Sequence, residues 1–267
     1  MSERSERPIA FVTGAGGDIG RATSVLLATR GWSIAATDHP AAGGDLAKTV
    51  AACTAAGAHA WSSVFDVTDV EAVGAAVERC GTELGVPSGL FNNAGVQGPF
   101  RRIDQYPAAE ARAVIDVNVF GVFAVLSVVA RAMVAAGRGG AMVCTASMAG
   151  VSGAPNMPVY SATKAAVIGL VKGAAKDLAA FGIRVNAVSP AFIGPGRMWD
   201  IQVERQAAAA SQYFPDDAAA TAAQMIGSIP MRRFGSLDEV ASTVAFLLSD
   251  EASYVTGANL EVGGGAA

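Results

Sequence analysis

Thr13-Gly14-Ala15-Gly16-Gly17-Asp18-Ile19-Gly20 follows directly on the apolar run Ile9-Ala10-Phe11-Val12. It opens a stretch, 20–30, whose apolar residues recur at spacings of three and four. The order reads as strand, glycine-rich turn, helix. Glycines in such a turn let the backbone bend sharply and approach a pyrophosphate. The helix N-terminus then offers unpaired N–H groups and positive partial charge to that anion. An octad of this kind alone is a weak signal; its context strengthens it. The next apolar run ends in Ala36-Thr37-Asp38-His39. A carboxylate at the end of that strand accepts hydrogen bonds from adenosine ribose hydroxyls and repels a 2′-phosphate. No Arg or Lys lies within 14–20 or immediately after Asp38, so NAD is the expected cofactor rather than NADP. His39, before Pro40, reads as a loop residue.

Outward from this unit, short apolar runs alternate with helical patterns. Runs 9–13, 33–38, 58–64, 89–92, 141–145 and 184–189 read as strands, and stretches such as 20–30, 69–84 and 159–181 read as helices. That alternation predicts a parallel sheet with helices on both faces, and right-handed crossovers make it doubly wound. The expected class is α/β: one Rossmann-type domain over 1–267. One segment, 192–230, breaks the rhythm. It holds Gly194-Pro195-Gly196, a helical run with Met198, Trp199, Ile201 and Val203, and then Tyr213-Phe214-Pro215. An insertion after a strand's carboxyl end lies where open α/β sheets bind ligands. It is therefore expected to form a small helical lobe over the substrate; the alternative is a helical excursion that only packs or oligomerises.

Composition bounds the remaining classes. Of 267 residues 52% are hydrophobic and 16% charged, with a net charge of -4. No basic stripe is available to replace phosphate counterions, which argues against nucleic acid as a partner. The apolar stretch 114–134 resembles a membrane span in length, but Asp116, Asn118, Ser127 and Arg131 interrupt it, and a buried amphipathic helix is expected. Cys53, Cys80 and Cys144 lack the spacing of a zinc site or a redox dithiol, so buried free thiols are expected and no metal. The charged N-terminal stretch does not read as a secretory signal, and a cytoplasmic location follows by default.

Later motifs complete a pattern. Asp66-Val67 follows the third strand, and Asn92-Asn93-Ala94-Gly95 the fourth. Asn118 lies in the long central helix, Ser147 follows a strand, and Tyr160-Ser-Ala-Thr-Lys164 lies in a helix. Ser189-Pro190-Ala191-Phe192-Ile193 ends the sixth strand. In this order, over essentially its full length, the chain resembles the short-chain dehydrogenase/reductase family. The resemblance implies cofactor contacts from Gly14, Gly17, Asp18, Ile19, Gly20, Asp38, Asp66, Val67, Asn93, Ala94, Gly95, Pro190, Phe192 and Ile193, with Tyr160 and Lys164 on the nicotinamide ribose side. It implies a catalytic set of Asn118, Ser147, Tyr160 and Lys164, and a homotetramer. Three positions depart from the family pattern. Asp18 stands where Gly or Ala is usual, Ala191 stands where Gly is usual after Pro190, and Gly263-Gly264-Gly265 replaces Asp-Gly-Gly. The last predicts a looser C-terminal tail.

The residue types suit the implied chemistry. Tyr160 and Lys164, four apart, rise from one helix face. An ammonium nearby is expected to lower the phenol pKa from about 10 toward the operating range of a general acid/base. Ser147 can hydrogen-bond the substrate oxygen, and Asn118 is expected to hold a water that relays protons from Lys164. A mere surface Tyr-x-x-x-Lys pair is the bland alternative, and the other members of the set argue against it. Gln97, Met148, Ala154, Met157, Met198 and Trp199, with Val151, Ser152, Phe192 and Tyr213, are expected around the substrate. Nearly all are apolar or weakly polar, which suggests an uncharged, moderately hydrophobic or cyclic secondary alcohol or ketone. Arg101, Arg102 and Arg197 flank the region and leave a carboxylated or phosphorylated substrate open. Within the family the alternatives are a 3-oxoacyl thioester reductase and a polyol or sugar dehydrogenase. From another class, a non-catalytic NAD-binding sensor remains, against which the intact Asn-Ser-Tyr-Lys set argues.

Overall fold

A computed structural model describes residues 7–209 and 211–266. Seven parallel strands form one sheet in the order β3-β2-β1-β4-β5-β6-β7. These are β1 (Ile9–Thr13), β2 (Ser33–Asp38), β3 (Ala60–Val64), β4 (Gly89–Asn92), β5 (Gly140–Thr145), β6 (Ile183–Pro190) and β7 (Asn259–Val262). The seventh strand pairs with β6 in register Ala187 to Asn259. The expected doubly wound single-domain α/β fold is what forms.

Side chains alternate across each strand and split the core in two. Phe11, Leu90, Met142, Cys144 and Val185 face one side; Ala10, Val12, Phe91, Val143 and Val188 face the other. Both faces are covered, so the strands are apolar throughout instead of alternating with polar residues. The first side receives α3 (Val70–Glu83), α5 (Val122–Ala136) and α7 (Pro158–Leu178). The second receives α1 (Asp18–Thr29), α2 (Gly43–Ala55) and α10 (Leu237–Leu248). The three cysteines are buried free thiols, as their spacing predicts.

A continuous helix runs from α4 (Ala108–Ile115) through a π turn at Asp116–Gly121 into α5. It is long and apolar enough to cross a membrane by length and composition. Here Val122, Val125, Val129 and Met133 lie in the sheet-facing core, as the buried-helix reading expects. Strand order reverses between β1 and β4, and such a switch point opens a crevice at the carboxyl ends of the strands. After β6 come α8 (Arg197–Ala208) and α9 (Ala218–Ser228), which close around Trp199, Val203 and Met225 with Phe192, Phe214 and Phe234. This is a third, small core of its own. The C-terminal tail is not loose. Met231 N donates to the Gly264 carbonyl (3.1 Å), and Gly263 packs against Met148. Gly264 and Gly265 adopt φ of 59° and 86° there, a conformation that favours glycine.

Candidate active site

The crevice is built around one threonine. Thr13 Oγ1 accepts from the backbone N–H groups of Asn93 (2.9 Å) and Ala94 (3.1 Å), and donates to Asn92 Oδ1 (3.2 Å). The turns after β1 and β4 are thereby locked together. The Asn93 amide donates to the Gly14 carbonyl (3.3 Å) and accepts from Thr145 Oγ1 (3.1 Å), tying in β5. Gly14 has φ 64°, and a Cβ on Gly20 would lie 2.1 Å from the Gly14 carbonyl oxygen. Only glycine lets α1 start this close to the turn.

Asp38 stands beside that turn. Its Oδ2 accepts from Gly16 N (2.7 Å) and its Oδ1 from His39 N (2.7 Å). A Cβ on Gly16 would meet Asp38 Oδ2 at 3.0 Å. The cradle therefore fits a dinucleotide whose ribose hydroxyls meet a carboxylate and whose phosphates lie over the N-terminus of α1. Asp18 lies in the first turn of α1, whose N-cap is Gly17. Its carboxylate reaches across to Gly196 at the head of the lobe, where a Cβ would come within 2.8 Å. Ile19 packs into the core beneath α1. Asp66 accepts from the Thr68 N–H and hydroxyl, which hold its carboxyl below the usual range. Val67 packs on Gly121, where a Cβ would approach it to 2.6 Å.

The four remaining polar residues converge at the far end. Asn118, in the π turn, donates to the Val96 carbonyl (2.8 Å) and Thr163 Oγ1 (3.1 Å) and accepts from Val96 N (2.8 Å). Its side chain is thus largely committed. A proton relay there falls to the remaining Oδ1 lone pair or to the backbone of the π turn. Thr163 Oγ1 donates to the Tyr160 carbonyl (2.8 Å). Lys164 is buried and donates to the Thr145 carbonyl (2.7 Å), with its Nζ 5.7 Å from the Tyr160 ring centroid. Gly95 lies beside both, since a Cβ there would meet Asn118 Oδ1 at 3.1 Å and Lys164 Nζ at 3.4 Å. Ser147 caps α6 (Met148–Ser152), accepting from Ala149 N (3.1 Å), and its hydroxyl lies 3.4 Å from the Pro190 carbonyl.

Burial raises the Tyr160 phenol pKa, and a hydrogen bond with Ser147 partly offsets this. Burial also lowers Lys164 to about 8. The expected lowering of Tyr160 by Lys164 does not set its direction: desolvation disfavours the charged form of both groups, and Ser147 supplies the opposing hydrogen bond.

The expected substrate residues divide. Gln97 is half-buried, and its Oε1 has no hydrogen-bond partner. Met148 is buried against the C-terminal tail, Ala154 is half-buried, and Met157 is deeply buried. Met198 is half exposed, whereas Trp199 lies in the lobe's own core, edge-on to Phe192 with centroids 6.0 Å apart. Pro190 completes β6, and Ala191 N donates to the Val262 carbonyl (3.1 Å), so alanine after Pro190 is accommodated by regular pairing. Ile193 bridges to Gly235.

Sequence reading missed a buried amide pair. Asn156, with φ 63°, donates to Gln206 Oε1 (2.8 Å) and Ser211 Oγ (3.0 Å), and Gln206 donates to the Pro155 carbonyl (3.2 Å). This ties the lobe to the loop preceding Tyr160. The signal was present: Gln206 continues the Trp199, Val203 and Ala207 stripe of α8, all buried.

This fold and site define a nicotinamide-dependent oxidoreductase. A family model described as enoyl-(acyl carrier protein) reductase matches residues 14–267. A cyclohexanol dehydrogenase of Acinetobacter sp. (strain SE19) is 37% identical over 264 residues, covering 99% of this chain and 96% of that one. A levodione reductase of Leifsonia aquatica is 35% identical over 257 residues, covering 96% and 93%. A solved structure described as NAD+-bound xylitol dehydrogenase superposes with a TM-score of 0.94 at 46% identity, covering 98% of this chain and 100% of the other. The chain belongs to the short-chain dehydrogenase/reductase family.

Proposed function

We propose that the chain is an NAD-dependent alcohol dehydrogenase/ketone reductase with Tyr160 as its acid/base. A bound nicotinamide would supply the hydride acceptor for the carbinol carbon or, in its reduced form, the hydride donor for the ketone. The chain's own residues do the rest. The cradle of Gly14, Gly17 and Gly20 holds the phosphates on α1, and Asp38 takes the adenosine ribose hydroxyls. Asp66 and Val67 flank the adenine, while Asn93, Ala94, Gly95, Pro190, Phe192 and Ile193 line the nicotinamide side. Ser147 hydrogen-bonds the substrate oxygen, and Tyr160 takes or gives the proton there. Lys164 holds the nicotinamide ribose and hands protons onward past Asn118. The observation that carries this reading is the convergence of Ser147, Tyr160, Lys164 and Asn118, through Thr163 and Gly95, at the end of a dinucleotide cradle.

The substrate is an uncharged, moderately hydrophobic or cyclic secondary alcohol or its ketone, enclosed by the 192–230 lobe. Arg102 lies in a close surface ion pair with Asp104, which disfavours it as a receptor for a substrate carboxylate, and Arg197 lies toward Asp45 of α2. The relatives named for cyclohexanol and levodione point the same way. A second reading, a polyol substrate, is favoured by the unpartnered Gln97 Oε1, which can accept from an additional hydroxyl, and by the xylitol dehydrogenase likeness. A cytoplasmic homotetramer is the form we propose. Free buried thiols suit a reducing compartment. Ile115, Phe120 and Phe123 expose an apolar stretch on the central helix suited to self-association. Tyr160→Phe tests the core of the reading. Turnover should vanish while NAD still binds; substantial residual activity would mean a different acid/base.

A further inference from the structure

Asp45, near the head of α2, is surrounded by cations from three elements. Its carboxylate lies 2.9 Å from Lys48 Nζ, 3.8 Å from an Arg21 nitrogen of α1 and 3.9 Å from an Arg197 nitrogen of the lobe. Those cations hold its carboxyl below the usual range. Arg21 is fixed independently, donating to the Gly16 carbonyl (2.9 Å) and to Thr49 Oγ1 (3.2 Å). Gly16 is also the residue whose N–H binds Asp38. A Cβ on Gly16 would lie 3.0 Å from Asp38 Oδ2 and 3.1 Å from Leu46 N. The ribose-reading carboxylate and the head of α2 thus meet at a single glycine, with Arg21 one hydrogen bond away.

Two guanidinium groups and an ammonium beside the ribose edge are the usual means of binding a phosphate. Lys48 and Arg197 have side chains 71% and 79% exposed, so either can reorient toward a new anion. We propose that Asp45 is a second determinant of the choice of NAD over NADP. Its carboxylate occupies the cations that would otherwise receive a 2′-phosphate, while Asp38 repels that phosphate directly. Asp38 alone then accounts for only part of the discrimination. The proposal names the cofactor selectivity of the site described above and rests on the NAD reading.

The test is titration of NAD and NADP into wild type, Asp45→Asn, Asp45→Glu, Asp38→Ser and the Asp38→Ser/Asp45→Asn double variant, followed by intrinsic fluorescence at low and high salt. The double variant should bind NADP about tenfold more tightly than Asp38→Ser, with NAD affinity equal in the two. Asp45→Asn alone should narrow the wild-type preference, and Asp45→Glu should retain it. Salt at about 0.5 M should largely erase these differences, since they act between exposed charges. Equal NADP affinity in Asp38→Ser and the double variant overturns the proposal, as does a gain shared equally by NAD. Wild-type protein that takes NADP as readily as NAD removes the NAD reading itself. A preserved wild-type preference with an inert Asp45 overturns this proposal alone.

Discussion

Replacing Gly150 by alanine should uncouple the two helices that carry the proposed acid/base residues. Gly150 lies in α6, whose N-cap is Ser147, and faces α7, which carries Tyr160 and Lys164. A Cβ on Gly150 would lie 2.5 Å from the Lys164 carbonyl carbon and 2.7 Å from Ala165 N. Both are backbone atoms, so no side-chain rotation relieves the clash. Ordinary contact begins near 3.4 Å, and α6 must move by about 1 Å relative to α7. Ser147 moves with it, away from Tyr160. A displacement of about 1 Å at a reacting centre costs on the order of 10²-fold in rate. Steady-state kinetics should show kcat falling by about that factor, while NAD affinity is kept, because the cradle at Gly14–Gly20 and Asp38 is elsewhere. Gly169→Ala serves as the control. It lies in α7 as well, but a Cβ there meets nothing within 4 Å, so activity should persist and stability rise by about 0.5–1 kcal/mol. Gly150→Ala with NAD affinity and kcat both near wild type would refute the reasoning.

Two further outcomes follow from buried polar groups. Lys164 is depressed from 10.5 to about 8, so between those values the unfolded chain binds the extra proton and stability rises with pH. About 1 kcal/mol of that rise should be present by pH 9. Burial of Cys53, Cys80 and Cys144 raises their thiols to about 11 or 12, and this opposes the rise as pH approaches the ordinary thiol value of 9.0 and offsets much of it there. Urea titrations at pH 7 and pH 9 should therefore show wild type gaining about 1 kcal/mol relative to Lys164→Met between the two pH values, since the thiols are common to both; equal pH responses would contradict it. Gln206→Leu leaves the buried Asn156 amide with Ser211 as its remaining partner, which costs about 1–3 kcal/mol. Because the bond joins the lobe to the loop before Tyr160, KM for the alcohol should rise several-fold with NAD affinity unchanged. An unaltered KM would show that the lobe is held elsewhere.

The sheet was legible because its strands are covered on both faces and separated by turns whose residues have one physical use. Thr13-Gly14 and Asn92-Asn93 mark the ends of β1 and β4, and the structure joins them through Thr13 Oγ1. The seventh strand is short: Thr256 and Gly257 are held by Val185, and only 259–262 pair along β6. Asp18 had no account in the sequence. Its partner, Gly196, is distant along the chain and meets it only once the lobe folds over α1. The burial of Gln206 was legible from its place on the α8 stripe, but its pairing with Asn156 was not, since each completes the other across 50 residues. The direction of the Tyr160 shift also escaped, because charge spacing along a helix can be read from sequence and desolvation cannot.

The most direct measurement is absorbance at the reduced-nicotinamide band, with NAD and NADP each offered aliphatic, cyclic, aryl, polyol and hydroxy-acid secondary alcohols. The account predicts strong reduction of NAD, weak reduction of NADP, and a response concentrated in cyclic or other uncharged alcohols. Tight NAD binding with no turnover of any alcohol or corresponding ketone would contradict it and leave a non-catalytic NAD-binding protein.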